Sequence, residues 1–192
     1  MGGQALDNDS ALLIIDMQMV MQQRIEDGRP HVNGGAATAI EALADAFRDA
    51  GRPVIHVRHA EPDPASPLHP DAPGYPPMAC ARQWPDETVL VKTTSSAFPS
   101  TSLETHLRER GIAHLFVVGA VAGFCVNSTV RSASDLGFVV TVVTDAVIGF
   151  DLPSAGLDAR TIFDVTMGLL AADFAQMRES HAIITDLSRT EP

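Results

Sequence analysis

Cysteine is nearly absent from this sequence: its 192 residues hold two, Cys80 and Cys125. A disulfide framework needs more, and neither cysteine stands at the tight spacing of a structural zinc site. No run of eighteen apolar residues occurs, so nothing in the sequence is expected to span a bilayer. Positive charge is scarce as well, with 13 Lys and Arg against 24 Asp and Glu, a formal net charge of −11. A phosphate backbone binds to a Lys/Arg surface, so no nucleic-acid partner is expected, and no anionic membrane either. The segment Met1–Ser10 is polar and lacks the basic-then-apolar layout of a secretory signal. A cytoplasmic location is the expectation.

What is present has a globular balance, 45 % hydrophobic and 19 % charged, able to bury a core without covalent or metal staples. The length suits one α/β domain over 1–192, with 1–10 as a loose terminus. Ala11 to Ile15 is a continuous apolar run that halts on Asp16, as a strand buried on both faces does in a parallel sheet. Similar runs recur at Val54–Val57, Val89–Val91, His114–Val118 and Phe138–Val143, with a weaker one at Ala182–Thr185. Between them the spacing is helical. Ile40, Leu43 and Phe47 share a face, with Asn33 as the expected N-cap and Gly51 as the stop. Leu103 and Leu107 share another, ending at Gly111. Ile162, Leu169, Leu170 and Met177 mark a late, mostly buried helix. Strands alternating with helices predict a three-layer α/β/α sandwich around a parallel sheet of about six strands. One stretch breaks the rhythm: residues 59–87 are proline-rich. This is either a plain surface insertion or a lid or oligomer contact over the site.

In open α/β sheets the ligand sits beyond the carboxyl ends of the strands. Asp16 stands at one such end and Lys92 at another. Cys125 follows a third, through the glycine-containing approach Gly119 to Phe124. An acid, an amine and a thiol so placed form a coherent set. A thiol attacks as thiolate, and a free one, with a pKa of about 8.5, is mostly protonated at neutral pH. Positive charge lowers that value. A helix N-terminus would supply up to ~0.5 of a charge and Lys92 a whole one, so a depressed thiol pKa is expected at Cys125. Asp16 is expected at the rim of the core, partly desolvated and fit to carry a proton, or else to cap a helix from Met17 onward. Gln18 and Phe98 are candidate pocket residues. Phe98 would stack on a planar substrate or serve as a core contact. Cys80 has nothing nearby to activate it.

The stretches Leu12 to Gln18, Val54 to Arg58, Val91 to Phe98, Gly119 to Val126 and Thr144 to Ala146 together resemble the isochorismatase-like hydrolases. That group includes nicotinamidases, carbamoylsarcosine amidases and isochorismatases. The resemblance implies a Rossmann-like sheet of order 3-2-1-4-5-6 and a triad of Asp16, Lys92 and Cys125. It implies a cis peptide from Ala120 to Val121 and an oxyanion hole from the Val121 and Cys125 N–H groups. It also implies hydrolysis of a small-molecule amide or carbamoyl C–N bond through a thioester, and self-association to a homodimer or larger. Nicotinamidases carry an Asp-x-His pair and a further His for a metal. Here the stretch reads His59, Ala60, Glu61, with His69 downstream, so no metal or other cofactor is expected. A haloacid-dehalogenase-type phosphatase would want a second Asp where Gln18 stands. A receiver domain would want an acidic pair before Asp16. Both leave Cys125 without a task. The alternative is an inactive oligomeric scaffold, or a small-ligand-binding protein, of the same fold.

Overall fold

The computed structural model describes residues 9–189. In chain order the elements are β1 (Ser10–Ile15), α1 (Met19–Glu26), β2 (His31–Val32), α2 (Ala36–Asp49), β3 (Val54–His59), β4 (Thr88–Lys92) and α3 (Leu103–Glu109). Then come β5 (His114–Ala120), α4 (Asn127–Asp135), β6 (Val139–Phe150), α5 (Ala159–Asp173), β7 (Gln176–Arg178) and α6 (Ser180–Ser188). The strands form one sheet in the order β2-β6-β5-β1-β3-β4, with β7 also paired to β6. All pairings are parallel except the short β2, which runs antiparallel to the end of β6. Leaving β2 aside, this is the order 3-2-1-4-5-6.

Successive strand residues face opposite sides, and the core divides accordingly. Leu13, Ile15, Leu115 and Val117 pack with Leu107, Val130, Phe163 and Leu170 of α3, α4 and α5. Leu12, Ile14, Phe116 and Val118 pack with Val20, Ile40, Phe47 and Ile183 of α1, α2 and α6. Among the described residues no helix is long and apolar enough to cross a membrane.

Four expectations need correction. The sixth strand is Gln176–Arg178, and Ala182–Thr185 lies inside α6. There Ile183 and Leu187, four apart, present one buried helical face, a pattern that a short apolar run does not separate from a strand. Met177 belongs to β7 rather than to the late helix, and Leu169 on α5 is 55 % exposed. Asn33 is not a cap. It has φ 58°, and its side-chain amide donates to the Thr144 and Val147 carbonyls at 2.7 and 2.8 Å, while Gly35 precedes α2. Finally, β4 is an edge strand with Val91 exposed, not one buried on both faces.

The long connection from β3 to β4 is tied down at both ends. Met78 N–H donates to Met17 O, and Met19 and Val20 N–H donate to Pro76 and Gly74 O. Near β4, Glu87 accepts from Arg48 Nε at 2.7 Å, His56 Nε2 at 2.9 Å and Trp84 N–H at 2.7 Å. Burial alone would raise its carboxyl pKa, but these donors hold it at about 2 against an ordinary 4.5. A depressed carboxyl stabilises the fold above its unfolded pKa and loses that contribution as pH falls through the folded one. Wild type should therefore lose stability between pH 4.5 and about 2. Glu87→Gln should flatten that part of the curve in thermal melts, and a variant that follows wild type across this window would show that the cluster contributes nothing.

Candidate active site

Four strand ends converge. Asp16 follows β1, His59 ends β3, Lys92 ends β4, and Cys125 lies in a turn after β5. The β5 end comes close to β1. Ile15 is the register partner of Gly119, which has φ +119°, and a Cβ there would meet the Ile15 carbonyl oxygen at 2.0 Å. Only glycine fits such an approach. The next peptide but one, Ala120–Val121, is cis. The chain then makes a π-helical turn over Ala122–Val126, with Val126 N–H donating to Val121 O five residues back at 3.4 Å, and runs on into α4. Cys125 thus stands within this turn, two residues before α4 begins, at the helix start expected for it.

Lys92 is fully buried, and its Nζ lies 2.8 Å from Asp16 Oδ2 and 3.2 Å from Cys125 Sγ. It also donates to the Thr94 carbonyl at 3.1 Å and to His59 Nδ1 at 2.7 Å. Asp16 is buried with φ +49°, an uncommon conformation away from glycine. It does not cap α1, whose N-cap is Gln18. Its Oδ1 has no hydrogen-bond partner among the described residues. Burial raises the Asp16 pKa, while Lys92, Cys125 and His59 pull it back.

The thiol runs against expectation. Burial, and then the Asp16 carboxylate, push Cys125 up to about 12, with Lys92 offsetting only part of this. The cation foreseen in the sequence is present, but so is a desolvation cost that the sequence does not reveal. The balance of these influences favours the protonated sulfur. Cys80 is also pushed up by burial, to about 11, and it lies in the core beside α2.

Gln18 and Phe98 do not offer their side chains to a pocket. Gln18 is fully buried, and its Nε2 donates to the carbonyls of His59 and Tyr75 at 3.0 and 2.9 Å. Its Oε1 accepts from His59 N–H at 2.9 Å. Gln18 therefore holds the long connection in place. Phe98 packs in the core, stacked on Phe138 at 5.9 Å between ring centroids.

His69 is not brought to His59 and Glu61. Its Nδ1 instead accepts from Asp71 N–H at 3.2 Å. Among the described residues, the metal-competent atoms that do cluster come from Asp16, His59 and Cys125, within 4.8 Å of one another. The Lys92 ammonium bonds to all three, so the space between them already holds a cation. The contact of His59 with Lys92 was missed in the sequence, although the same strand-end logic that found Asp16 and Lys92 applies to the last residue of β3.

The chain matches the isochorismatase domain over residues 10–166. YrdC, an isochorismatase family protein of Bacillus subtilis, is 27 % identical over 188 residues, 96 % of this chain and 100 % of its own. A streptothricin hydrolase of Streptomyces noursei is 30 % identical over 165 residues, 86 % of this chain and 58 % of its own. RutB, a ureidoacrylate amidohydrolase of Variovorax paradoxus, is 26 % identical over 191 residues, 82 % of this chain and 75 % of its own. Among solved structures, an isochorismatase-family protein from Chromobacterium violaceum superposes with a TM-score of 0.91 at 30 % identity, covering 98 % of this chain and 99 % of that one. The chain belongs to the isochorismatase family, and at the level of that family it is a hydrolase.

Proposed function

We propose that the protein is a cysteine hydrolase of small-molecule amide or carbamoyl C–N bonds. One observation carries the reading: a single buried ammonium, Lys92 Nζ, bonds both the Asp16 carboxylate and the Cys125 thiol, at 2.8 and 3.2 Å. An acid, a cation and a nucleophile in mutual contact can move a proton and make a bond in one event. The Cys125 proton passes to Asp16 as Sγ bonds to the carbonyl carbon. The oxygen gains the negative charge, and the N–H groups of Val121 and Cys125 are proposed to receive it. As the C–N bond breaks, the leaving nitrogen takes the proton from Asp16. Water, deprotonated by Asp16, then cleaves the thioester and returns the free thiol. A carboxyl raised by burial suits this double duty, because a group with its pKa closer to neutrality both takes and gives a proton. The amidohydrolase relative favours C–N cleavage.

The test is a panel of amides and carbamates, read by release of ammonia or amine. Turnover of any member supports the reading. No turnover of any member would favour the scaffold alternative.

The proposal includes self-association. Phe124, next to Cys125, is 51 % exposed, and Val165 and Leu169 on α5 are also exposed. Val165 and Leu169, four apart, share a face of α5, and exposed large apolar side chains gain by burial against a second copy. Sedimentation at micromolar concentration should give a mass of at least two chains. The mass of a single chain would exclude this.

A further inference from the structure

Lys92 is oversubscribed. An ammonium has three N–H bonds and no acceptor, yet four acceptors stand within reach of Nζ. These are His59 Nδ1 at 2.7 Å, Asp16 Oδ2 at 2.8 Å, the Thr94 carbonyl at 3.1 Å and Cys125 Sγ at 3.2 Å. At any instant one goes without, and the thiol sulfur is the weakest acceptor of the four. His59 therefore competes with the nucleophile for the same cation.

The ring is held in that place by its own backbone. Gln18 brackets His59, accepting from its N–H and donating to its carbonyl. Because Lys92 can only donate, Nδ1 must be the unprotonated nitrogen, which leaves the proton on Nε2. That side faces Glu61 Oε1 at 3.6 Å, and Glu61 Oε2 in turn accepts from Ser66 Oγ at 2.6 Å. Burial, and then the charge of Lys92, push the imidazole below its ordinary value, so it is neutral at pH 7 and able to accept. The charged and titratable groups around the ring are Lys92 at the end of β4, Asp16 after β1, Glu61 in the long connection and Cys125 in the π-helical turn.

We propose that His59 is a positioning residue for the nucleophile: in its Nε2–H tautomer it claims one N–H of Lys92, leaving Cys125 to share another with the Thr94 carbonyl. The purpose of this arrangement rests on the cysteine-hydrolase reading above, but its test reads the ring and the thiol rather than turnover. At rest the thiol is denied a full hydrogen bond and keeps its proton. When negative charge develops on sulfur, Sγ becomes the stronger claimant and draws the shared N–H from Thr94.

Two measurements decide it. Imidazole 15N NMR of the wild-type protein, with His59 assigned by its disappearance in His59→Asn, should show a neutral ring protonated on Nε2. A proton on Nδ1 overturns the proposal, whatever becomes of the variants. The second measurement is alkylation of Cys125 at pH 8 in a Cys80→Ala background. In His59→Leu three acceptors remain for three N–H bonds, and Sγ receives a full one. A charge-assisted bond of about 1.4 kcal/mol is one pKa unit, so the alkylation rate should rise about tenfold. His59→Asn offers a carbonyl oxygen in place of Nδ1 and should alkylate at the wild-type rate. A Leu variant no faster than wild type, or an Asn variant as fast as Leu, overturns the competition.

Discussion

Replacing Cys125 by alanine is expected to lower turnover by more than about a thousandfold, since removing a covalent nucleophile leaves only binding and electrostatic effects. The fold should survive. Cys125 is only partly buried and lies at the edge of its core cluster, so losing the sulfur should cost about 1 kcal/mol or less. Cys125→Ser should fail almost as completely, because the hydroxyl is a weaker nucleophile that would have to lose its proton in the same desolvated place. The control is Cys80→Ala. Cys80 is the more buried of the two, so its loss should cost at least as much stability and leave turnover unchanged. That inversion, the larger packing effect paired with the smaller catalytic one, separates a nucleophile from a core thiol. If either Cys125 variant keeps a tenth of the wild-type rate, the nucleophile has been misassigned.

Lys92→Met should be the most damaging substitution to both stability and chemistry. The ammonium is fully buried, and removing it leaves Asp16 as an uncompensated carboxylate in the core. Breaking a buried pair from one side costs roughly 3–5 kcal/mol. The deficit should depend on pH. Burial already raises the Asp16 pKa, and Lys92 is the largest influence opposing it, so in the variant that value climbs further. A carboxyl whose folded pKa exceeds its unfolded one favours the folded state while both are protonated, and loses that advantage as pH rises through the folded value. The gap between variant and wild type should therefore be smallest near pH 4 and widen above it. The Glu87 cluster titrates in both proteins and cancels from the difference. Cys125 should alkylate more slowly than in wild type, since the cation is gone and a carboxylate remains. A stability deficit of the same size at pH 4 and pH 8 would mean that Asp16 and Lys92 do not act on one another as the distances indicate.

Asp16 and Lys92 could be read from the sequence because each sits where an apolar run stops, and Cys125 because it follows such a stop through the approach Gly119 to Phe124. In a parallel sheet that boundary is also the place where ligands bind. The five principal strands were legible as apolar runs, and their order came from the resemblance to the isochorismatase-like hydrolases. Three things were not. A short apolar run such as Ala182–Thr185 carries no period of its own, so its conversion to α6 depends on what Ile183 and Leu187 find to pack against. Gln18 was expected to line the pocket. Only the folded chain shows that its amide is committed to the backbone of His59, 41 residues away. The thiol's protonation was misjudged because charge is written in the sequence and desolvation is not. Lys92 could be named beforehand, whereas the burial that outweighs it could not.

The π-helical turn that carries Cys125 makes chain length itself a design variable at this site. One residue is looped out relative to an α-helix between Ala122 and Val126, and α4 continues directly from it. Deleting a single residue there would restore ordinary helical hydrogen bonding and look harmless in a local view. Every residue downstream would then be rotated by roughly 100°, the angle per residue of an α-helix, and Val130 and Ala133 would leave the core they now fill. Keeping that core instead would turn the thiol away from Lys92. Loop grafts and length variants that cross residues 122–126 must therefore preserve the residue count, and keep Ala122 and Val126 in the core they fill.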